Sequence, residues 1–128
     1  MILVDTSVWV DHLRRPNASL ARLLEEGLVV CHPFVIGEIA LGVLARRSEI
    51  LGLLGELPAA RVVSHEEAIT LVGKRALFGR GIGWVDAHLI ASALVEHCRL
   101  WTRDRRLAAV AEDLNVAWAR SSDRPSHR

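Results

Sequence analysis

At 128 residues, 51% of them hydrophobic and 24% charged, the chain is long enough to bury one core and too short for two independent ones. Its 16 basic and 15 acidic residues leave a net charge of +1, so no whole-molecule field marks it as a polyanion binder. No apolar run reaches the roughly 18–20 residues that span a bilayer. Met1 leads straight into strand-like sequence with no basic segment and no cleavage site, so the expectation is a cytoplasmic protein with no membrane association and no targeting segment.

In chain order, the first predicted element is a strand, "MILV", which ends on Asp5. A helical segment runs from there toward Arg14 and Arg15. A second strand, "LVVCH", starts at Leu28, and a helix follows from Pro33 to Ala45, with Ile36, Ile39, Ala40, Val43 and Leu44 at helical spacing and proline in the first turn. The helix pair spanning Pro33 to Leu57 is apolar enough to offer a groove to a partner's amphipathic segment, or simply to pack as helices do. A third strand, "ARVVS", begins at Ala60, and Lys74 lies in a mid-chain helix. A long helix from Val85 to Cys98 carries Ala87, Ile90, Ala91, Leu94 and Val95 on one stripe. Strands "RLWT" from Arg99 and "NVAWA" from Asn115 bracket a last helix that starts after Asp104.

Each strand run is apolar through most of its length rather than alternating, as strands covered on both faces are. Strand and helix alternate from end to end. The expected fold is therefore α/β, with a mostly parallel central sheet of about five strands and helices on both faces. Residues 1–119 form the expected single domain, and the polar, Pro-containing stretch 120–128 reads as a frayed tail. Cys31 and Cys98 sit in apolar stretches and read as reduced core thiols. All basic residues but Lys74 are arginines; arginine grips phosphate bidentately, but a GC-rich genome gives the same bias.

Open parallel sheets place their sites outside the carboxyl ends of the strands. Asp5 and Asp104 both fall there. Asp5, Asp86 and Asp104 each also lie at a helix start, where a carboxylate caps backbone N–H groups and meets the positive end of the helix dipole. Taken singly, each is as well explained as a cap. Glu38 is different: it is the only charged residue between Pro33 and Ala45, flanked by Gly37, Ile39, Ala40, Leu41 and Gly42. A carboxylate expected mid-helix in that setting faces desolvation or needs a cation, and the nearby glycines point to close backbone approach or to space. If these acids converge, their mutual repulsion calls for a divalent cation, and oxygen-only ligands select Mg²⁺ or Mn²⁺ over zinc. Such a cluster suits phosphodiester hydrolysis.

The strings "ILVDTSVWVDHLR", "GEIALGVL", "WVDAHLIASAL" and "LWTRDRRLAAVAEDLN", in this order and in a chain this short, resemble the PIN-domain ribonucleases, and in particular the VapC toxins of type II toxin–antitoxin pairs. The resemblance covers nearly the whole domain. It implies a PIN-like three-layer α/β/α fold and makes Asp5, Glu38, Asp86 and Asp104 the acidic metal-binding and catalytic set, with Asp104 the least direct ligand. Thr6 and Ser7 fall where the family places a small hydroxyl residue behind the first acid, with Thr6 taken to orient the Asp5 carboxylate, and Thr102 is placed to hydrogen-bond across the pocket. The resemblance further implies a Mg²⁺- or Mn²⁺-dependent endoribonuclease acting on structured RNA such as transfer or ribosomal RNA, a masking VapB-type antitoxin, and a homodimer.

Arg103, Arg105 and Arg106 around Asp104, with Arg14 and Arg15, are candidate contacts to RNA phosphates, or solvated charge. The six histidines show no metal-ligand spacing, and His88 points about 200° around its helix from Asp86. The tryptophans among Val, Leu and Ala read as core or interface; Trp84, beside Asp86, is the one to weigh as a base-stacking residue. Two other readings compete. A receiver-like domain that accepts a phosphoryl group at a Mg²⁺ pocket wants a lysine near a late strand, which this chain lacks. A non-catalytic binding domain would use the acids only as caps, which leaves Glu38 without a reason.

Overall fold

The computed structural model describes residues 1–118; the stretch 120–128, expected to be a frayed tail, lies outside the described residues. Three strands, β1 (Ile2–Val4), β2 (Val29–Val30) and β3 (Arg99–Trp101), form a parallel sheet in the order β2-β1-β3. The register pairs Leu3 with Val30 on one side and with Leu100 on the other. All three residues of β1 are buried, as the uninterrupted apolar run requires of a strand covered on both faces. Helices flank the sheet: α1 (Thr6–Arg14), α2 (Ala18–Glu25), α3 (Pro33–Ala40), α4 (Arg47–Glu56), α5 (His65–Lys74), α6 (Trp84–Glu96) and α7 (Arg105–Asp113). The expected class holds.

Two expected strands do not form as such. The run from Ala60 is extended, but its pairing is a single parallel bridge between Cys31 and Ala59. The reason is competition. The Arg61 carbonyl accepts from the Ser92 hydroxyl at 2.6 Å, and the Arg61 N–H is taken by the Glu96 carboxylate. Side chains of α6 thus satisfy the groups a longer ladder would have used. The run from Asn115 is likewise reduced to one bridge, Leu100 with Ala117. Among the described residues the sheet has three strands rather than about five.

Helix α3 stops at Ala40 rather than at Ala45. Leu41 is its C-cap and Gly42 comes next, with Leu41 and Val43 exposed. Helix α6 is buried around its whole circumference from Ala87 to Ala93, not along one stripe, because Ala87, Ala91, Ser92 and Ala93 are small enough to let neighbours approach on every side. Its Leu89 and Ile90 are fully buried beside Leu3, Val4, Leu100 and Leu107. Truncating either to alanine costs about 2–5 kcal/mol. Both cysteines are free and buried, and burial pushes the Cys31 thiol up to about 11. No helix among the described residues is long and apolar enough to cross a membrane.

The parallel arrangement brings the carboxyl ends of all three strands to one edge. Asp5 follows β1, His32 lies two residues past β2, and Thr102 follows β3. The Asp5 N–H donates to the Trp101 carbonyl at 2.9 Å, which locks the β1 and β3 exits side by side.

Candidate active site

Asp5 occupies the N-cap position of α1 with extended backbone, yet its side chain makes no capping hydrogen bond. It is buried, 6% exposed, and its Oδ2 accepts from both the Ser7 and the Thr102 hydroxyl, each at 2.7 Å. The two hydroxyls also accept backbone N–H groups: Ser7 Oγ from Arg103 at 3.0 Å and Thr102 Oγ1 from Asp104 at 3.0 Å. Each hydroxyl has one proton, and each gives it to Asp5. The 3.4 Å separation between the two oxygens is then a contact rather than a third bond. The loop leaving β3 is thereby tied, amide by amide, to one oxygen of the Asp5 carboxylate.

Thr6 does not orient Asp5, as expected from the sequence. Its hydroxyl donates to Glu38 Oε1 at 2.6 Å, because the first residue of α1 faces α3, while Ser7 faces the β3 exit. Glu38 itself lies in the last turn of α3 and is exposed, not desolvated mid-helix. Its setting is electrostatically adverse for another reason: a carboxylate in a last turn meets the negative end of the helix dipole. Of the two reasons expected for the glycines, close approach does not hold: a Cβ at Gly37 would meet open space, and one at Gly42 would make only an ordinary 3.5 Å contact with the Ile39 carbonyl.

Asp86 Oδ2 accepts from the Gly83 N–H at 2.9 Å at the start of α6. Asp104 Oδ1 accepts from the Leu107 N–H at 3.0 Å and caps α7. A common pattern emerges across the four acids. One oxygen of each is held by a donor, and the other, Asp5 Oδ1, Glu38 Oε2, Asp86 Oδ1 and Asp104 Oδ2, has no partner among the described residues. Asp86 also feels the other three. The Asp86 carboxyl is raised above the usual carboxylate range first by burial and then by the charges of Asp5, Asp104 and Glu38, with the Gly83 N–H opposing. None of the four forms an ion pair among the described residues.

This donor set fits a hard divalent cation: oxygen only, like-charged, and each carboxylate fixed by one atom while the other stays open. Among the described residues no three His, Cys, Asp or Glu side chains are already gathered around one point.

The candidate RNA-binding arginines divide. Arg103 is paired with Asp11 at 2.9 Å, and Arg106 lies against the backbone of Gly81. Arg14, Arg15 and Arg105 are exposed with no ion pair among the described residues. His88 is buried, its ring 4.9 Å from Phe34 and 4.8 Å from Trp84. Trp9 and Trp101 are core residues, whereas Trp84 is 41% exposed. Of the two hydroxyls expected behind Asp5, Ser7 rather than Thr6 reaches it, because its place two residues on, at a helix start, turns the side chain back toward the strand exits.

The PIN domain family model matches residues 2–113, and the chain belongs to that family. It is 52% identical over 120 residues to ribonuclease VapC32 of Mycobacterium tuberculosis, in two strains, a match covering 93% of this chain and 97% of the relative. In fold it is similar to the crystal structure of PAE2754 from Pyrobaculum aerophilum, with a TM-score of 0.63 at 20% identity over 88% of this chain and 90% of that one. It is also similar to that of FitAcB from Neisseria gonorrhoeae, with a TM-score of 0.59 at 21% identity over 91% and 95%. Family membership sets aside the receiver-like reading.

Proposed function

We propose that this protein is a VapC-type toxin, an endoribonuclease that hydrolyses phosphodiester bonds in structured RNA such as transfer or ribosomal RNA. A Mg²⁺ or Mn²⁺ ion is its cofactor. PIN-domain membership and the 52% identity to a relative named as a ribonuclease support the reading. The observation that carries it is Asp5: a buried carboxylate at an N-cap position that declines to cap and is held by two hydroxyls with one oxygen open. A scaffold whose acids were only caps has no use for that arrangement.

Asp5, Glu38 and Asp86 would hold the cation, and Asp104, with Oδ1 engaged by the Leu107 N–H, would act through its remaining oxygen or through a water. When bound, the ion polarises the phosphoryl oxygen and activates water for attack. The chain's own part is to keep the carboxylates rigid on strand and helix ends and to place Arg14, Arg15 and Arg105 at the rim for phosphates. Activity in the cytoplasm is restrained by a VapB-type antitoxin. The groove lined by Val10, Leu13, Leu44 and Ile50 is bordered by Arg14 and by Glu38, an acid of the site, so a segment seated there would cover that acid. The apolar surplus of the sequence suits a homodimer.

The test is cleavage of a mixed structured-RNA pool by purified, partner-free protein in Mg²⁺ or Mn²⁺, beside an EDTA control and the Asp5→Asn variant. Cutting that is lost in both controls supports the reading; no cutting by folded wild-type protein in either metal overturns it.

A further inference from the structure

The stretch between α5 and α6 is not used by the site as described. Between Glu67 and Asp86 the sequence holds no acidic residue and three basic ones, Lys74, Arg75 and Arg80, in a chain whose net charge is only +1. The same stretch holds the two exposed rings among the described Phe and Trp residues, Phe78 at 68% and Trp84 at 41%. A single exposed aromatic is ordinary. Two within one connection call for a reason, and the cations beside them are Lys74 and Arg75, which border one groove with Glu66 and Glu67, and Arg80, which is paired with Asp113.

The connection is held in shape. Leu77 is buried in the core, and its N–H donates to the Val72 carbonyl at 3.0 Å. With Leu77 turned inward, its neighbour Phe78 is carried out to solvent. Arg80 is anchored to Asp113 of α7 at 2.8 Å. Gly81, at a φ of +79°, lies so close to the Arg106 side chain that a Cβ there would meet it at 2.8 Å, which brings a further guanidinium against the loop. Trp84 is braced by two rings, His88 at 4.8 Å edge-on and His65 at 5.3 Å. It opens α6, two residues before Asp86.

We propose that the connection from Lys74 to Trp84 is a docking surface for an unpaired stretch of RNA, in which Phe78 and Trp84 stack bases and Lys74, Arg75 and Arg106 meet phosphates. The inference rests on the ribonuclease reading and deepens it. Basic groups interleaved with exposed aromatics form the usual platform for single strands, because every base has a face to stack and every nucleotide a phosphate. A duplex buries those faces, so the surface selects substrates that present a loop or unpaired end near the scissile bond.

The experiment measures binding of a labelled, unstructured RNA oligonucleotide and of the same sequence fully paired, by fluorescence anisotropy in EDTA so that nothing is cut. Phe78→Ser should weaken single-strand binding about 5- to 100-fold, the range that base stacking on an aromatic implies, and lower the preference for single strand over duplex. Phe78→Trp and Trp84→Phe should keep most of the affinity. Lys74→Ala with Arg75→Ala should lower the salt slope by about 1.4, near 0.7 for each phosphate of a single strand that is no longer neutralised. Phe78 is exposed, so its replacement leaves the fold intact. Unchanged affinity in Phe78→Ser and in the Lys74/Arg75 variant overturns the inference while leaving wild-type cleavage, and with it the ribonuclease reading, standing. Loss of self-association in Phe78→Ser with RNA affinity unchanged also overturns it, by assigning the surface to a protein contact. A wild type that neither binds nor cuts RNA overturns both.

Discussion

Two strand-to-helix junctions of this protein carry the same residue in the same place and do opposite things. Asp5 links β1 to α1, and Asp104 links β3, through Thr102 and Arg103, to α7; both are N-cap residues with extended backbone. Asp104 caps, through the Leu107 N–H. Asp5 does not, because Ser7 and Thr102 hold its Oδ2 and turn it out of reach of its own helix. An acid at a helix start is thus structural or available according to which donors surround it, not according to its position. A third junction, from β2 to α3, is capped by His32, whose Nδ1 accepts from the Phe34 N–H at 2.9 Å. The edge of the sheet therefore has two closed junctions and one kept open, and the open one is Asp5.

The largest effect expected from this contrast is on activity alone. Asp5→Asn keeps an oxygen for both hydroxyls but turns the open oxygen into an amide, so cleavage should fall about a thousandfold or more. Its unfolding free energy from urea titration should stay within about 0.5 kcal/mol of wild type. Next is an acid effect at the His32 junction. Burial, reinforced by His88 and opposed by Glu96, pushes the His32 imidazole down to about 4 from the ordinary 6.5. The unfolded chain takes up that proton near pH 6.5 and the folded chain only near 4. Stability from this group is therefore complete above about 6.5 and lost as pH falls toward 4, by about 3 kcal/mol at the limit. Urea denaturation across that range should show the loss and His32→Gln should flatten it.

A smaller effect separates Ser7 from Thr6. Ser7→Ala removes one of two donors to Asp5 and the acceptor of the Arg103 N–H, and should lower metal affinity or kcat about 10- to 100-fold, with Ser7→Thr recovering most of it. Thr6→Ala, which touches only Glu38, should cost less. Smallest is the closed acid junction: Asp104→Ala should destabilise by about 1 kcal/mol through the lost cap. Asp104→Asn, which can still accept from Leu107, should keep stability and show by its remaining activity what the charge alone contributes.

The sequence made the strand-to-Asp5 exit, the Pro33 helix start and the α6 and α7 starts legible, because each rests on local chemistry: an apolar run, a proline in a first turn, an acid before a helical stripe. The strand at Ala60 was not legible as a bridge, since what shortened it were Ser92 and Glu96 from a helix some thirty residues on. The Ser64 to Glu67 capping box, with both reciprocal bonds formed, explains where α5 begins. Within the site, the acids could be named from their positions and from family resemblance, but which hydroxyl served which acid could not. Thr6 and Ser7 are adjacent, and only the helix start that separates their directions decides that one reaches Glu38 and the other Asp5.

The central claim is that these acids are held by one oxygen so that the other can take a divalent cation. Calorimetric titration of Mn²⁺ into partner-free wild-type protein and into Asp5→Asn tests it without reference to any RNA. The account predicts saturable binding by wild type that is lost or sharply weakened in Asp5→Asn at unchanged stability. Equal binding by the two proteins, or none by either, would contradict it.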